Sequence, residues 1–228
     1  MSYPGLGDRL AAIRRRIETR QHLRGWTHPV TIVAVTKTHG PDAVLAALDA
    51  GLTAVGENRV QEALGKQAQI ADPRVQWHLI GSLQSNKARL AVGKFALIHS
   101  VDRFELASEL ARRAAPGIRQ SVLIQVNCSG EPQKGGIEPA ALGGLLERVA
   151  GLEALEVRGL MTMAELTEDQ GRQRAAFSQL RALQRQMQDR GYQLPELSMG
   201  MSGDFEVAVE EGATMVRLGT LLFGERGT

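Results

Sequence analysis

Two hydrophobic periods alternate along the chain. Short runs rich in β-branched residues lie at 31–35, 53–55, 75–80, 96–100, 121–126, 156–160, 197–199 and 214–218, and their composition predicts strands. Between them, apolar residues spaced three and four apart predict helices at 42–50, 59–69, 85–92, 104–114, 139–149, 172–190 and 205–211. The segment 172–190 is the clearest. Phe177, Leu180, Leu183 and Met187 form one stripe, Arg172, Arg174, Arg181, Arg185 and Arg190 lie largely off it, and Gly191 can cap its end. Strands separated by single helices imply right-handed parallel β-α-β units. Eight such units imply an α/β fold closed into a single (β/α)8 barrel of the TIM type. An open doubly wound sheet is the alternative that periodicity alone leaves standing.

Ahead of the first strand, Leu6, Leu10, Ile13 and Ile17 recur at helical spacing, with Asp8 and Glu18 among the arginines. This pattern predicts an extra N-terminal helix docked by its apolar stripe, in preference to an organelle presequence or a nucleic-acid arm. No linker, low-complexity tract or charge block divides the chain, so one domain over 1–228 is expected. Composition changes little in this picture. Of 228 residues, 43% are apolar and 23% charged, an ordinary globular mix. A net charge of +2 gives no argument for a nucleic-acid partner. No stretch approaches the roughly 20 apolar residues of a membrane span, so no membrane partner is expected. Cys128 is the single cysteine and cannot form an internal disulfide, which makes a reducing cytoplasm the expected location. The histidines His22, His28, His39, His78 and His99 show no ligand spacing, and no metal centre is expected.

In a barrel, function collects where strands end and helices begin. Lys37 closes TIVAVTK and shares a strand face with Thr31, Val33 and Val35. If that face lines the barrel, the amine points into its upper interior, where it can act as a nucleophile toward an aldehyde. An isolated strand-end lysine more commonly snorkels to solvent. The stretch LSMGMSGDFEVAVEEG places a helix start near Ser202 and Asp204, and its backbone N–H groups suit a phosphate. Asp204 is expected to face away from that anion. ATMVRLGTLLFG then supplies Gly219 and Thr220 at a second small-residue turn. Arg217 lies inside the last strand, in phase with Met215. It needs either a ligand or a carboxylate such as Glu57 or Glu225. Asn58 ends another strand, while Gln84, Asn86 and Lys87 sit at a predicted helix mouth and His78 reads as a core histidine.

Together these blocks resemble the pyridoxal phosphate homeostasis protein family, relatives of the N-terminal barrel of alanine racemase. The resemblance covers nearly the whole chain and rests on AVTK, VGENRVQEALGK, WHLIGSLQSNK, IHSVDR, GLM and LSMGMSGDFEVAVEEGATMVRLGTLLFG in this order. It implies that the cofactor is pyridoxal 5′-phosphate and that Lys37 is its Schiff-base lysine. It also implies that Ser202, Gly219 and Thr220, with Met201, hold the phosphate and that Arg217 faces the pyridine nitrogen. Asn58 would lie beside the ring and Met161 near its face. This chain departs from the family in carrying His39 where relatives often have a second lysine, and in lacking lysines in its terminal ERGT. Lys134 does match a lysine of the family's mobile loop, and any secondary acceptor role rests on it alone.

An arginine opposite the pyridine nitrogen disfavours its protonation and weakens the cofactor as an electron sink. The tyrosines, Tyr3 and Tyr192, stand at no strand end, so two-base racemisation lacks a base. The resemblance therefore implies a carrier with no catalytic residues, a monomer that takes part in cofactor homeostasis and delivers to pyridoxal-phosphate-dependent apo-enzymes. A racemase or lyase of low activity is the enzyme alternative, and a phosphosugar barrel enzyme without the cofactor is a weaker third.

Overall fold

The computed structural model describes residues 3–131 and 134–224. Its strands are β1 (Thr31–Val35), β2 (Ala54–Glu57), β3 (Gln76–Leu79), β4 (Leu97–Val101), β5 (Gln120–Gln125), β6 (Leu155–Met161), β7 (Glu196–Ser198) and β8 (Met215–Leu218). All neighbours pair in parallel, and β8 returns to β1 with Val33 opposite Arg217, so the sheet closes into a barrel in chain order. Alternation along the strands divides the core in two. Val33, Ala54, Leu97, Leu123, Met161 and Met215 fill the barrel interior. Ile32, Ala34, Val55, Ile98, Val122, Ile124 and Leu160 belong to the larger layer shared with the helices.

The helices are α1 (Leu6–Arg24), α2 (Pro41–Asp49), α3 (Val60–Gln67), α4 (Ala88–Ala91), α5 (Phe104–Arg113), α6 (Leu142–Ala150), α7 (Gln170–Asp189), α8 (Phe205–Glu210) and α9 (Thr220–Phe223). α1 buries Leu6, Leu10, Ile13 and Ile17 and packs on α8 and α9, which is the docked helix its stripe predicts. Its polar face is tied down as well, with Arg16 on Glu206 at 2.9 Å and Arg20 on Glu210 at 2.9 Å. Asp169 caps α7 by accepting from the Gly171 and Arg172 N–H groups, and Gly191 follows its end with a φ of 95°. The predicted helix 85–92 is split into a 3-10 turn at Ser85–Lys87 and the single turn α4. The helix expected to open at Ser202–Asp204 starts only at Phe205, with Asp204 as its N-cap. Among the described residues no helix is long and apolar enough to cross a membrane.

Two glycines bring the mouth of the barrel together. A Cβ on Gly81 would lie 2.3 Å from the Asn58 carbonyl oxygen, so the chain ends of β2 and β3 approach as only glycine permits. Gly200 has a φ of 89°, and a Cβ there would lie 2.6 Å from that of Ala208. This lets the turn after β7 fold flat against α8.

Candidate functional site

A cavity of about 440 Å³ opens at the C-terminal end of the strands. Seven of the eight residues singled out from the sequence stand in its wall: Lys37, Asn58, Met201, Ser202, Arg217, Gly219 and Thr220. Met161 does not. It is 1% exposed and packs in the barrel interior below the cavity, while Met163, two residues further on, lines the wall. Gln84 and Asn86 are exposed and outside the cavity; Ile80, Gly81 and Ser82 line it in their place.

Lys37 occupies a tight turn. His39 N–H donates to the Thr36 carbonyl at 3.1 Å, and Thr38 between them has a φ of 66°. That left-handed position in a turn favours glycine or asparagine, and a β-branched residue there is strained. The turn is held from outside the barrel wall. Lys66 of α3 donates to the Thr36 carbonyl at 2.8 Å, to Glu57 Oε1 at 2.6 Å and to Glu62 Oε1 at 3.1 Å. Glu62 Oε1 accepts the Thr38 N–H at 2.6 Å, and Thr36 Oγ1 donates to Glu57 Oε1 at 2.5 Å. Lys66 and Glu57 are both buried, and Oε2 of Glu57 has no hydrogen-bond partner. Burial pushes the Glu57 carboxyl above its ordinary value, against the opposing pull of Lys66 and Thr36.

Glu57 is therefore not the partner of Arg217, because it points to the helix layer and Arg217 into the barrel. Glu225, the other carboxylate considered, lies outside the described residues. Arg217 is buried and donates from Nη1 to Ser198 Oγ at 2.6 Å and from Nη2 to the Thr162 carbonyl at 3.0 Å. Among the described residues no carboxylate makes an ion pair with it. Burial pulls its guanidinium down to about 10, which leaves it charged at neutral pH.

Ser198 Oγ lies 2.9 Å from His99 Nδ1, and His99 Nε2 lies 2.9 Å from His78 Nδ1. Arginine can only donate, so the serine hydroxyl is used fully when it accepts from Arg217 and donates to His99. That balance assigns the proton of each histidine to Nε2. Burial holds both imidazoles neutral, pulling His78 to about 4 and His99 well below its ordinary value, with the charge of Arg217 adding to the effect on His99.

The two small-residue turns face each other. Gly219 N–H approaches Ser202 Oγ at 3.4 Å, and neither the Ser202 nor the Gly203 N–H has an acceptor among the described residues. Asp204 does not face away from this site. It is buried, lines the cavity, and its Oδ1 accepts the Met201 N–H at 2.5 Å, which commits that N–H elsewhere. Burial pushes the Asp204 carboxyl upward, with Met201, Arg217 and Lys134 opposing. A carboxylate folded onto its own turn explains how an acid is accommodated beside an anion site. Lys134 is paired with Glu131 at 3.1 Å and donates to the Ala164 carbonyl. It thus ties the loop after β5 to the loop after β6.

Sequence reasoning missed Gln125 at the end of β5, Met163 just after β6 and Gln173 in the first turn of α7, because a neutral polar or apolar side chain at such a position carries no charge or motif that marks it as wall. It also missed the Lys66 grip, whose visible trace is the Glu62–Lys66 pair four residues apart on α3. Among the described residues no group of three or more His, Cys, Asp or Glu is placed to hold a metal ion.

The family model described as "Alanine racemase, N-terminal domain" matches residues 9–227. The pyridoxal phosphate homeostasis protein of Aquifex aeolicus is 45% identical over 222 residues, covering 96% of this chain and 97% of the relative. The chain belongs to the pyridoxal phosphate homeostasis protein family. PipY of Synechococcus elongatus, solved with PLP bound, is 41% identical and superimposes with a TM-score of 0.84, covering 96% of this chain and all of that one. Alanine racemase of Clostridium difficile shares the barrel, with a TM-score of 0.76 over 97% of this chain and 60% of its own length. At 13% identity that likeness speaks to fold alone.

Proposed function

We propose that this chain binds pyridoxal 5′-phosphate covalently through Lys37 and serves the homeostasis of that cofactor by storing and releasing it. The observation that carries the reading is the convergence in one cavity of a strand-end lysine, a buried arginine without a paired carboxylate, and two small-residue turns with free N–H groups. These residues fit the cofactor group by group. The Lys37 amine would condense with an aldehyde, its two protons leaving with the carbonyl oxygen as water. Ser202, Gly203, Gly219 and Thr220 offer N–H and hydroxyl donors to a phosphate. Asn58, in the wall just after β2, would lie beside the ring, and Arg217 would set its positive charge against the ring nitrogen.

Several features support a carrier over an enzyme. The bound cofactor would stabilise a carbanion most strongly with a proton on its ring nitrogen, and a charged Arg217 opposes that proton. Among the described residues no tyrosine or cysteine lines the cavity, and Tyr3 is engaged with His39 at 3.1 Å. In this reading the chain acts as a monomer that delivers the cofactor to apo-enzymes of the cytoplasm. Borohydride reduction of the loaded protein should leave a pyridoxyl label on the peptide holding Lys37, and Lys37→Ala should lose it. A label elsewhere with Lys37 bare would refute the assignment. The loaded protein should reactivate an apo-enzyme and show no useful turnover with common amino acids. Racemisation or elimination at an ordinary enzyme rate of about 1–1000 per second would make it a catalyst instead.

A further inference from the structure

We infer that Lys66 and Glu62 are positioning residues for Lys37: from outside the barrel wall they grip the peptide groups on either side of it and hold the strained turn that aims its amine into the cavity. The inference rests on the reading of Lys37 as the covalent acceptor. The ammonium of Lys66 has three donors, and each has an acceptor: the Thr36 carbonyl, Glu57 and Glu62. Glu62 in turn receives the Thr38 N–H. The residue before Lys37 is thus held through its carbonyl and the residue after it through its N–H. Thr38 is the one non-glycine residue with positive φ among those described, and nothing in its own chemistry favours φ 66°. A turn that the local sequence disfavours persists only when its surroundings determine it. Here the determinant is a buried cation already spent on the backbone rather than on a ligand, since Lys66 lines no part of the cavity. Losing the grip should let Thr38 relax, rotate the Thr36–Lys37 peptide and move the amine off line, while the turns after β7 and β8, to which neither Lys66 nor Glu62 is hydrogen-bonded, stay in place.

The test separates aim from binding. Pyridoxine 5′-phosphate keeps the ring and phosphate but has an alcohol in place of the aldehyde, so its affinity reports the pocket without Lys37 chemistry. Borohydride-trapped label on Lys37 after timed mixing with pyridoxal phosphate reports the rate of the covalent step. In Lys66→Met the label should accumulate about tenfold or more slowly, a loss typical of a misdirected nucleophile. Affinity for the alcohol should stay within about threefold, as for sites that do not touch. Adding Thr38→Gly to Lys66→Met should restore most of the rate, because glycine takes the left-handed position without strain. Glu62→Ala, which removes a half-exposed carboxylate, should slow labelling in the same direction and covers the case in which Lys66→Met fails to fold. An unchanged labelling rate, an equal fall in labelling and alcohol affinity, or no recovery with Thr38→Gly would each overturn the inference. A wild-type protein with no label on Lys37 removes the reading beneath it, and is distinguishable because the alcohol still binds.

Discussion

Two buried polar networks flank the cavity, and they solve opposite problems. On the β1–β2 side, outside the barrel wall, Lys66, Glu57 and Glu62 form an ionic cluster that hydrogen-bonds to backbone. On the β3–β8 side, inside the barrel, His78, His99 and Ser198 form a neutral chain that ends on a cation, Arg217. The ionic cluster satisfies its charges internally and has none left for a ligand. Its product is the geometry of a turn. The neutral chain orients Arg217 without cancelling it, because a serine oxygen and a peptide carbonyl accept its protons where a carboxylate would have neutralised its charge. On the proposed reading, a site with a nucleophile on one side and an arginine outside any ion pair on the other uses charge to hold backbone and neutral dipoles to hold charge.

The contrast is broken most severely from the ionic side. Glu57→Ala strips the buried ammonium of its fully buried partner and should destabilise the protein by about 3–5 kcal/mol, read from urea unfolding. A loss below about 1 kcal/mol would mean that the cluster is well solvated and holds little.

The neutral chain should announce itself in acid. His78 is held near 4, against about 6.5 when unfolded, so the unfolded chain binds the extra proton between those values and the folded one does not. Stability is therefore full above about pH 6.5 and falls as pH drops toward 4, by about 3 kcal/mol from His78 alone at 1.36 kcal/mol per unit. His99, also pulled down, adds in the same direction. His78→Gln, which keeps an acceptor for His99, should flatten part of this slope. A slope identical to that of the wild type would show that the imidazole titrates freely.

The smallest effect belongs to the turns that neither network touches. Ser202→Ala removes one hydroxyl donor from the phosphate side and should weaken pyridoxal phosphate by about 1–2 kcal/mol in a binding titration, with Lys37 labelling at saturation unchanged. Pyridoxal without its phosphate should bind much more weakly to both forms. Equal affinity with and without the phosphate would dissociate these turns from anion binding and leave the two networks as the whole of the site.

The barrel, its docked first helix and the gathering of seven of the eight singled-out residues around one cavity were legible in the sequence, because each rests on a local or periodic property. Strand phase fixes which side of a barrel wall Lys37 and Arg217 occupy, and small residues at strand ends mark where backbone can approach an anion. Phase also has a limit, shown by Met161 and Met163. Both follow the same alternation, and only the depth of the barrel floor decides that the first is core and the second is wall. Asp204 was misread for a related reason, since a carboxylate at a helix start satisfies the same local rules whether it turns outward or folds back onto the Met201 N–H. The fate of the buried charges was not legible at all. Glu57 was a candidate for Arg217 by charge, and the closed sheet places the two on opposite faces of its wall, pairing Glu57 with Lys66 and Arg217 with Ser198. Sequence carries the sign and spacing of charges, while their pairing depends on which strands close beside one another and how deeply water is excluded. Those are properties of the assembled barrel.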